Sequence, residues 1–449
     1  MNRVLFITLH FPPSRDIGAH ACEQIARHLP FYGWEPVVLT RPKHLIEFGD
    51  PSSQRSFSGK IVEAGVLPHP LSIYRWFKQR IRRSGGGDHV ADVNQNERYG
   101  LRRWVLSLLD TPDRYTGWIL PATIAGLRTI RREHIRHIIS SGPYWTNHLV
   151  GMILSTLTRV PWTAHYRDPW NQVPQMKPVS AASARVEQWL ERLVITRADS
   201  VVCVTDAHTR LLRQIFDTIA ADKFVTIPNG FDGQEWDACA TALPPDRSRF
   251  VIAYTGTFMM GTRSPRPLFR ALRQLIDSGN VDLHVVCVQL FGNCDVAEGK
   301  SVREMAAGYG LQDVVQVGAP LDRRATQQRM VAADLLLLLA EGWTLQIPGK
   351  TYEYLRAGRP ILALTSEGSL ADLLRRTGGA WIADPADQAA IADAILQTYV
   401  AWKTQQPILR ADPALVASFD RRRLAAQFAA LFDERPDRKS ALNTLFSTE

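Results

Sequence analysis

The segment Ile347-Pro348-Gly349-Lys350-Thr351-Tyr352-Glu353 sets a lysine and a glutamate three residues apart, directly behind a turn signal. Pro-Gly opens a helix whose first backbone N–H groups lack intrahelical partners, so that helix end is positive. Lys350 adds a full charge there, and Glu353 falls on the same face one turn on. A cation at a helix start suits a diphosphate, and a carboxylate close by suits the vicinal hydroxyls of a ribose. The same spacing also describes a plain surface ion pair, worth roughly 0.2–0.5 kcal/mol.

Three further loops follow strand-like runs. Thr255-Gly256-Thr257 ends one of them, and Arg263 reaches from the loop beyond, where its planar fork suits bidentate phosphate contact or simple solvation. Ala164-His165-Tyr166-Arg167-Asp168-Pro169-Trp170 ends another; His165 and Asp168 could hydrogen-bond a sugar or shuttle a proton, or cap the loop. Ser140-Ser141-Gly142-Pro143 with His148 is similar. The opening loop, LHFPPSRDIGAHACEQ, carries Asp16 and Gly18 at a strand-to-helix turn, where a missing Cβ permits close backbone approach to a ligand. There is no dinucleotide fingerprint, Walker loop, Gly-x-Ser-x-Gly elbow, Asp-x-Asp loop or His-Glu-x-x-His, which argues against a dinucleotide enzyme, an NTPase, an acyl hydrolase and a metal centre.

These loops need two sheets to position them. Apolar strands are expected over 3–8, 36–40, 138–140, 162–165, 201–204 and 225–228, with a helix over 18–29. The pattern restarts after a Pro-Pro linker, with strands over 250–254, 281–288, 314–317, 335–339, 360–364 and 379–382 and a helix over 267–277. Alternating strand and helix argue for α/β, two doubly wound parallel sheets. The expected domains are 1–235, with a basic insertion around 42–118 that has few regular strands, and 236–420. A final helix over 421–432 is expected to pack back on the first domain, ahead of a polar tail. Ligands of open α/β sheets sit outside the strand C-termini, so a cleft between the domains is the expected site.

Length and composition agree: 449 residues, 45% hydrophobic and 22% charged, with no apolar run long enough to span a bilayer. The opening residues lack the core and cleavage site of a signal peptide. Five cysteines without metal-knuckle spacing read as free thiols in a reducing cytoplasm. The net charge of +9 favours anionic partners. Over half of that excess lies between 71 and 104, where Arg75, Lys78, Arg80, Arg82, Arg83, Arg98, Arg102 and Arg103 face only three acids. Tyr74, Trp76, Phe77, Trp104, Val105 and Leu108 are interleaved. Arg75, Trp76, Lys78, Arg80, Arg82, Arg83, Arg102, Arg103 and Trp104 are therefore the candidates for an anionic membrane surface; a solvated basic flap is the plain alternative. No nucleic-acid-binding pattern accompanies them.

The stretch HFPPSRDIGAHACEQIARHLPFYGWEPVVLT resembles the opening of bacterial family 4 retaining glycosyltransferases. PDRYTGW, ISSGPYWTNHLVG, PWTAHYRDPWN, TIPNGFD, YTGTF and IPGKTYEYLRAGRPILAL follow in that family's order, up to about Phe432. The resemblance implies a GT-B fold, a nucleotide-sugar donor, no metal and no other cofactor. It puts Gly18 against the donor–acceptor cleft and makes His165 similar to the strand-end histidine near the reacting carbon. Arg263 and Lys350 match the basic pair on the diphosphate, Glu353 matches the ribose-holding second glutamate, and Val317-Gly318 lies where backbone meets the base. Gly256, Thr257, Pro348, Gly349 and Thr351 complete the implied donor site, while Asp16, His148 and Asp168 are the acceptor candidates. The first glutamate of Glu-x7-Glu would fall at Leu345, and Glu341 is offset from it by four residues.

The expected activity is transfer of a hexosyl or N-acetylhexosaminyl group, with retention, to a hydroxyl of a lipid-linked glycan in cell-surface polysaccharide synthesis. The expected place is the cytoplasmic face of the plasma membrane. A nucleotide-sugar 2-epimerase and a non-catalytic membrane-binding protein remain as alternatives.

Overall fold

The computed structural model describes residues 1–14, 17–46, 57–68, 111–172, 180–238, 248–258 and 263–434. The chain divides into two compact units: Met1–Val204 with His208–Ile227 and Ala425–Glu449, and Thr205–Ala207 with Pro228–Leu424.

In the first unit β1 (Asn2–Ile7), β2 (Trp34–Thr40), β3 (Lys60–Glu63), β4 (His137–Gly142), β5 (Trp162–Tyr166), β6 (Ser200–Cys203) and β7 (Phe224–Thr226) form one sheet. Its order is β3-β2-β1-β4-β5-β6-β7, and every pairing is parallel. Helices α1 (Ile17–His28), α2 (Ile119–Arg132), α3 (Thr146–Thr158), α4 (Ala181–Arg197) and α5 (Asp206–Ile215) connect the strands. Strands covered on both faces read as unbroken apolar runs, and Val4 to Ile7 are fully buried. Strand β3 lies inside the stretch expected to hold few regular strands; it is an edge strand, KIVE, exposed at both ends and half-buried between, too short and polar to carry an apolar signature.

The second unit contains α6 (Gly233–Ala238), β8 (Phe250–Thr257), α7 (Arg266–Asp277), β9 (Val286–Asn293) and a small hairpin, β10 (Val296–Ala297) with β11 (Lys300–Ser301). It continues through α8 (Val302–Gly308), β12 (Val315–Gly318), α9 (Arg323–Ala332), β13 (Leu335–Leu339), α10 (Lys350–Ala357) and β14 (Ile361–Leu364). It closes with α11 (Ser369–Thr377), β15 (Ala380–Ala383), α12 (Gln388–Lys403) and α13 (Pro413–Ala417). The sheet order is β12-β9-β8-β13-β14-β15, again parallel. The expected strand over 281–288 starts five residues late, because the Asp282 side chain accepts from the backbone of His284 and winds Leu283–Val285 into a 3₁₀ turn. The run of five leucines in β13 stays extended despite leucine's preference for helix. Leu335, Leu337 and Leu339 enter the core on one face and Leu336 and Leu338 the core on the other. Tertiary burial on both faces outweighs the local preference.

The last helix, α14 (Arg421–Asp433), joins the first unit from Ala425 onward. Phe432 stacks on His137 at 4.4 Å and meets Trp34 edge-on, and the Trp34 indole donates to Asp433 at 3.2 Å. Among the described residues no helix is long and apolar enough to cross a membrane.

In each sheet the strand order reverses once, between β1 and β4 and between β8 and β13. Loops leaving the C-terminal ends of those strands are where doubly wound folds place ligands. Leu337→Ala should cost about 2–5 kcal/mol by cavity formation, read as a lower urea midpoint. The exposed Val296→Ala (57% exposed) should stay within about 0.5 kcal/mol of the parent.

Candidate functional site

The switch point of the second sheet gathers the strongest charge. Strand β8 ends in Tyr254-Thr255-Gly256-Thr257, and Gly256 takes φ 145°, a backbone setting that side chains with a Cβ rarely adopt. Lys350 is the first residue of α10 and reaches across from the end of the β13 loop. Its Nζ donates to the Thr255 carbonyl at 3.0 Å and lies 3.6 Å from the centre of the Tyr254 ring. A Cβ on Gly256 would come within 2.8 Å of that nitrogen. The residue as a whole is half-buried, but its ammonium is enclosed by ring and carbonyl. Desolvation, reinforced by the neighbouring charge of Arg263, pushes the Lys350 pKa well below the ordinary lysine value, against weaker pulls from Cys294 and Glu353.

Arg263 stands beside the same ring. Its Nη1 is 3.5 Å from the Thr257 carbonyl, and its buried Nε has no hydrogen-bond partner among the described residues. The Tyr254 hydroxyl donates to the Thr257 carbonyl at 3.0 Å, and burial drives its pKa up even with Arg263 opposing. Two cations thus converge on the end of β8, and neither is ion-paired with a carboxylate among the described residues.

Helix α10 is held to β8 at a second point. The Tyr354 hydroxyl accepts the Thr255 backbone N–H at 3.1 Å, and burial raises its pKa to about 12. Gly349 caps the helix without a side chain, and the buried Thr351 hydroxyl has no hydrogen-bond partner among the described residues. Lys350 and Glu353, expected on one face, do not pair. Glu353 Oε1 instead meets Arg323 Nη2 at 3.1 Å, and Arg323 Nε meets Glu235 Oε2 at 2.6 Å. Arg323 opens α9, where Asp322 caps the helix by accepting from Ala325 N at 2.8 Å. A Glu235–Arg323–Glu353 chain therefore fixes the carboxylate. Arg323 and Glu235 lie on two other helices and carry no local sign of this partnership in the sequence. Val317 and Gly318 end β12; the Val317 carbonyl accepts from Arg303 at 2.5 Å. Glu341 is exposed on the loop after β13, and no hydrogen bond or ion pair brings it to the two cations.

In the first unit the candidates separate into interior and strand-end groups. His165 is buried in β5 on the face opposite Trp162 and Tyr166; its Nδ1 is 3.1 Å from Ser141 Oγ, and its ring meets Phe428 edge-on at 5.2 Å. His148, expected on a strand-end loop, is a fully buried residue of α3. Its Nδ1 bonds Ser140 Oγ at 2.8 Å, its ring stacks on Tyr166 at 4.8 Å, and burial, aided by the charge of Arg167, lowers its pKa to about 3. It is a neutral imidazole of the core. Asp168 is half-buried just past the end of β5. At the strand end itself stands Arg167, whose guanidinium occupies the space that a Cβ on Gly18 would take. Arg167 has no distinguishing sign in the sequence, because an arginine beside an aspartate in a loop is ordinary. Asp16 and the membrane candidates Arg75, Trp76, Lys78, Arg80, Arg82, Arg83, Arg102, Arg103 and Trp104 lie outside the described residues.

Residues 18–230 match the family described as glycosyl transferase 4-like domain. No curated protein matches the sequence. Among solved structures, sucrose-phosphate synthase from Thermosynechococcus elongatus superposes with a TM-score of 0.62 at 16% identity, covering 96% of this chain and 98% of that one. HepE of Anabaena, in complex with UDP and glucose, gives 0.55 at 16% identity over 96% and 95%. The lipopolysaccharide outer core galactosyltransferase WaaB gives 0.56 at 12% identity over 96% and 99%. At such identities the likeness carries the fold, two Rossmann-like α/β domains of GT-B type.

The desolvated lysine makes a pH prediction. A diphosphate binds the ammonium form, and the free protein releases that proton at a pH well below the usual lysine value of about 10.4. UDP affinity, measured by calorimetry, should therefore weaken as pH rises through that lowered range. Lys350→Arg, which stays charged, should flatten the dependence.

Proposed function

We propose that the protein is a glycosyltransferase that moves a hexosyl or N-acetylhexosaminyl group from a nucleoside-diphosphate sugar to an acceptor hydroxyl, with retention. The observation that carries this reading is the pair of cations, Lys350 and Arg263, at the switch point of the second sheet, neither paired with a carboxylate among the described residues. The glycosyl transferase 4-like match over 18–230 supports it from the other unit. HepE, with UDP-glucose, supplies a donor class to test first.

In this reading the bond between the anomeric carbon and the β-phosphate oxygen breaks, and negative charge gathers on the departing diphosphate. Lys350 and Arg263 meet that charge from fixed positions, each worth about 2.7–4 kcal/mol of barrier as a preorganised contact. The acceptor oxygen bonds to the anomeric carbon on the face the diphosphate leaves, and its proton passes to a β-phosphate oxygen. Glu353, steadied by Arg323, accepts from the ribose hydroxyls. The backbone of Thr257, Val317 and Gly318 and the start of α10 at Pro348, Gly349 and Thr351 line the donor. The cations take the place a divalent metal would have on the diphosphate, so the reaction is metal-independent and needs no cofactor. A lipid-linked glycan acceptor and attachment to the cytoplasmic face of a membrane rest on the basic, aromatic composition of 71–104.

Lys350→Ala and Glu353→Ala should each lower transfer from UDP-glucose, or from the sugar nucleotide that binds best in a thermal-shift panel, by at least a hundredfold while the melting temperature changes by only a few degrees. Arg323→Ala should raise KM for the donor more than it lowers kcat, and EDTA should leave the rate unchanged. Wild-type turnover in both the Lys350 and the Glu353 variants sinks the donor site. Release of UDP only upon addition of an acceptor separates transfer from epimerisation.

A further inference from the structure

Arg167 belongs to no site described so far. Its backbone N–H continues the parallel ladder by donating to the Gly142 carbonyl at 3.0 Å, which leaves the side chain at the C-terminal rim of the first sheet, close to the switch point between β1 and β4. The guanidinium donates through Nη2 to the Pro143 carbonyl at 2.6 Å. That is its only hydrogen bond among the described residues, although the group carries five N–H donors. Its Nε is buried without a partner, and no carboxylate among the described residues pairs with it. Its charge is strong enough to help lower the pKa of His148.

The position of that charge is set from two sides. The Pro143 carbonyl holds one nitrogen, and the absent Cβ of Gly18 makes room for the other. Gly18 stands in the first turn of α1, where the helix offers a cation no favourable interaction of its own. Among the described residues this half-buried guanidinium has one neutral partner, which compensates its charge poorly. An oxyanion laid against it would gain a bidentate contact.

We propose that Arg167 is a phosphate-binding residue, seated over Gly18 and presented by the end of β5 to a phosphate group of a substrate. The proposal rests on the glycosyl-transfer reading for its choice of substrate. The phosphate comes either from the nucleotide diphosphate or from an acceptor that carries one. Arg167 works here by binding and orientation; no proton leaves a guanidinium in this setting.

Calorimetry on the full-length protein with UDP, and with inorganic pyrophosphate in the absence and presence of UDP, tests it. Arg167→Ala should lose at least tenfold in affinity for one of the two probes, and Arg167→Lys should lose less. Gly18→Ala, which pushes the guanidinium out from the other side, should lose a similar amount, and the double variant should lose no more than Arg167→Ala alone. Melting temperatures verify that each variant folds. Loss for UDP identifies the nucleotide as the source; loss confined to pyrophosphate in the presence of UDP identifies the acceptor. Unchanged affinities in Arg167→Ala, or additive losses in the double variant, overturn the proposal. Lys350→Ala run alongside keeps the two readings apart: UDP binding unaffected there sinks the donor site, whatever Arg167 does.

Discussion

A lysine ammonium held against a tyrosine ring and a single carbonyl, next to an arginine and with no carboxylate paired to it among the described residues, is an expensive arrangement. Desolvation disfavours the charged form, and the like charge of Arg263 adds to the cost. The Tyr254 face returns part of it through cation–π attraction. The Thr255 carbonyl returns part through a charge-assisted hydrogen bond. The remainder must come from packing that leaves α10 no alternative position. Tyr352, Tyr354 and Leu355 supply it by burying the inner face of the helix in the same core as Leu336 and Leu338. The Tyr354 hydroxyl then pins the helix to the strand end where the cations meet. An electrostatically unfavourable site is therefore held by apolar contacts made a few residues away.

The carboxylate side of the site follows a different rule. Glu353 is not left paired with Lys350, where an ion pair would neutralise the ammonium. Arg323 draws it aside, and Glu235 fixes Arg323 in turn. The exposed part of this chain is worth little as a surface salt bridge, but its geometry keeps a carboxylate and an ammonium apart within one turn of helix. Separation of opposite charges at such short range requires partners from other elements, here α6 and α9.

This explains what the sequence displayed and what it withheld. Apolar runs such as VLFI and LLLLL mark buried parallel strands because both faces are covered, so the two sheets were legible, as were the loops leaving them. The turns that carry Arg263, Lys350 and Glu353 were legible because Thr-Gly-Thr and Pro-Gly mark the ends of strands and the start of a helix. The 3₁₀ turn before β9 was not, since its only sign is one aspartate in Val281-Asp282-Leu283. Nor was the direction of His165. A one-residue alternation decides whether a side chain at the end of a parallel strand faces solvent, core or the next helix. In β5 it sends His165 toward Ser141 and Phe428 and leaves the rim to Arg167. Arg323 and Glu235 are far from Glu353 in sequence and carry no local signature of their partnership.

Glycine tells the most about how the two units are made. Gly18 read from sequence as a place where backbone approaches a ligand, and Gly256 as the end of a buried strand. In the structure each approaches a cation of the protein itself: the Arg167 guanidinium over Gly18 and the Lys350 ammonium over Gly256. The missing Cβ in both cases lets a positive head group come down onto the backbone at the C-terminal rim of a parallel sheet. A cation lodged this way loses conformational freedom before any ligand arrives, so an anion binding to it bears less of the ordering cost. A glycine at such a turn thus acts at one remove, by fixing the position of a charge rather than by contact through its own backbone.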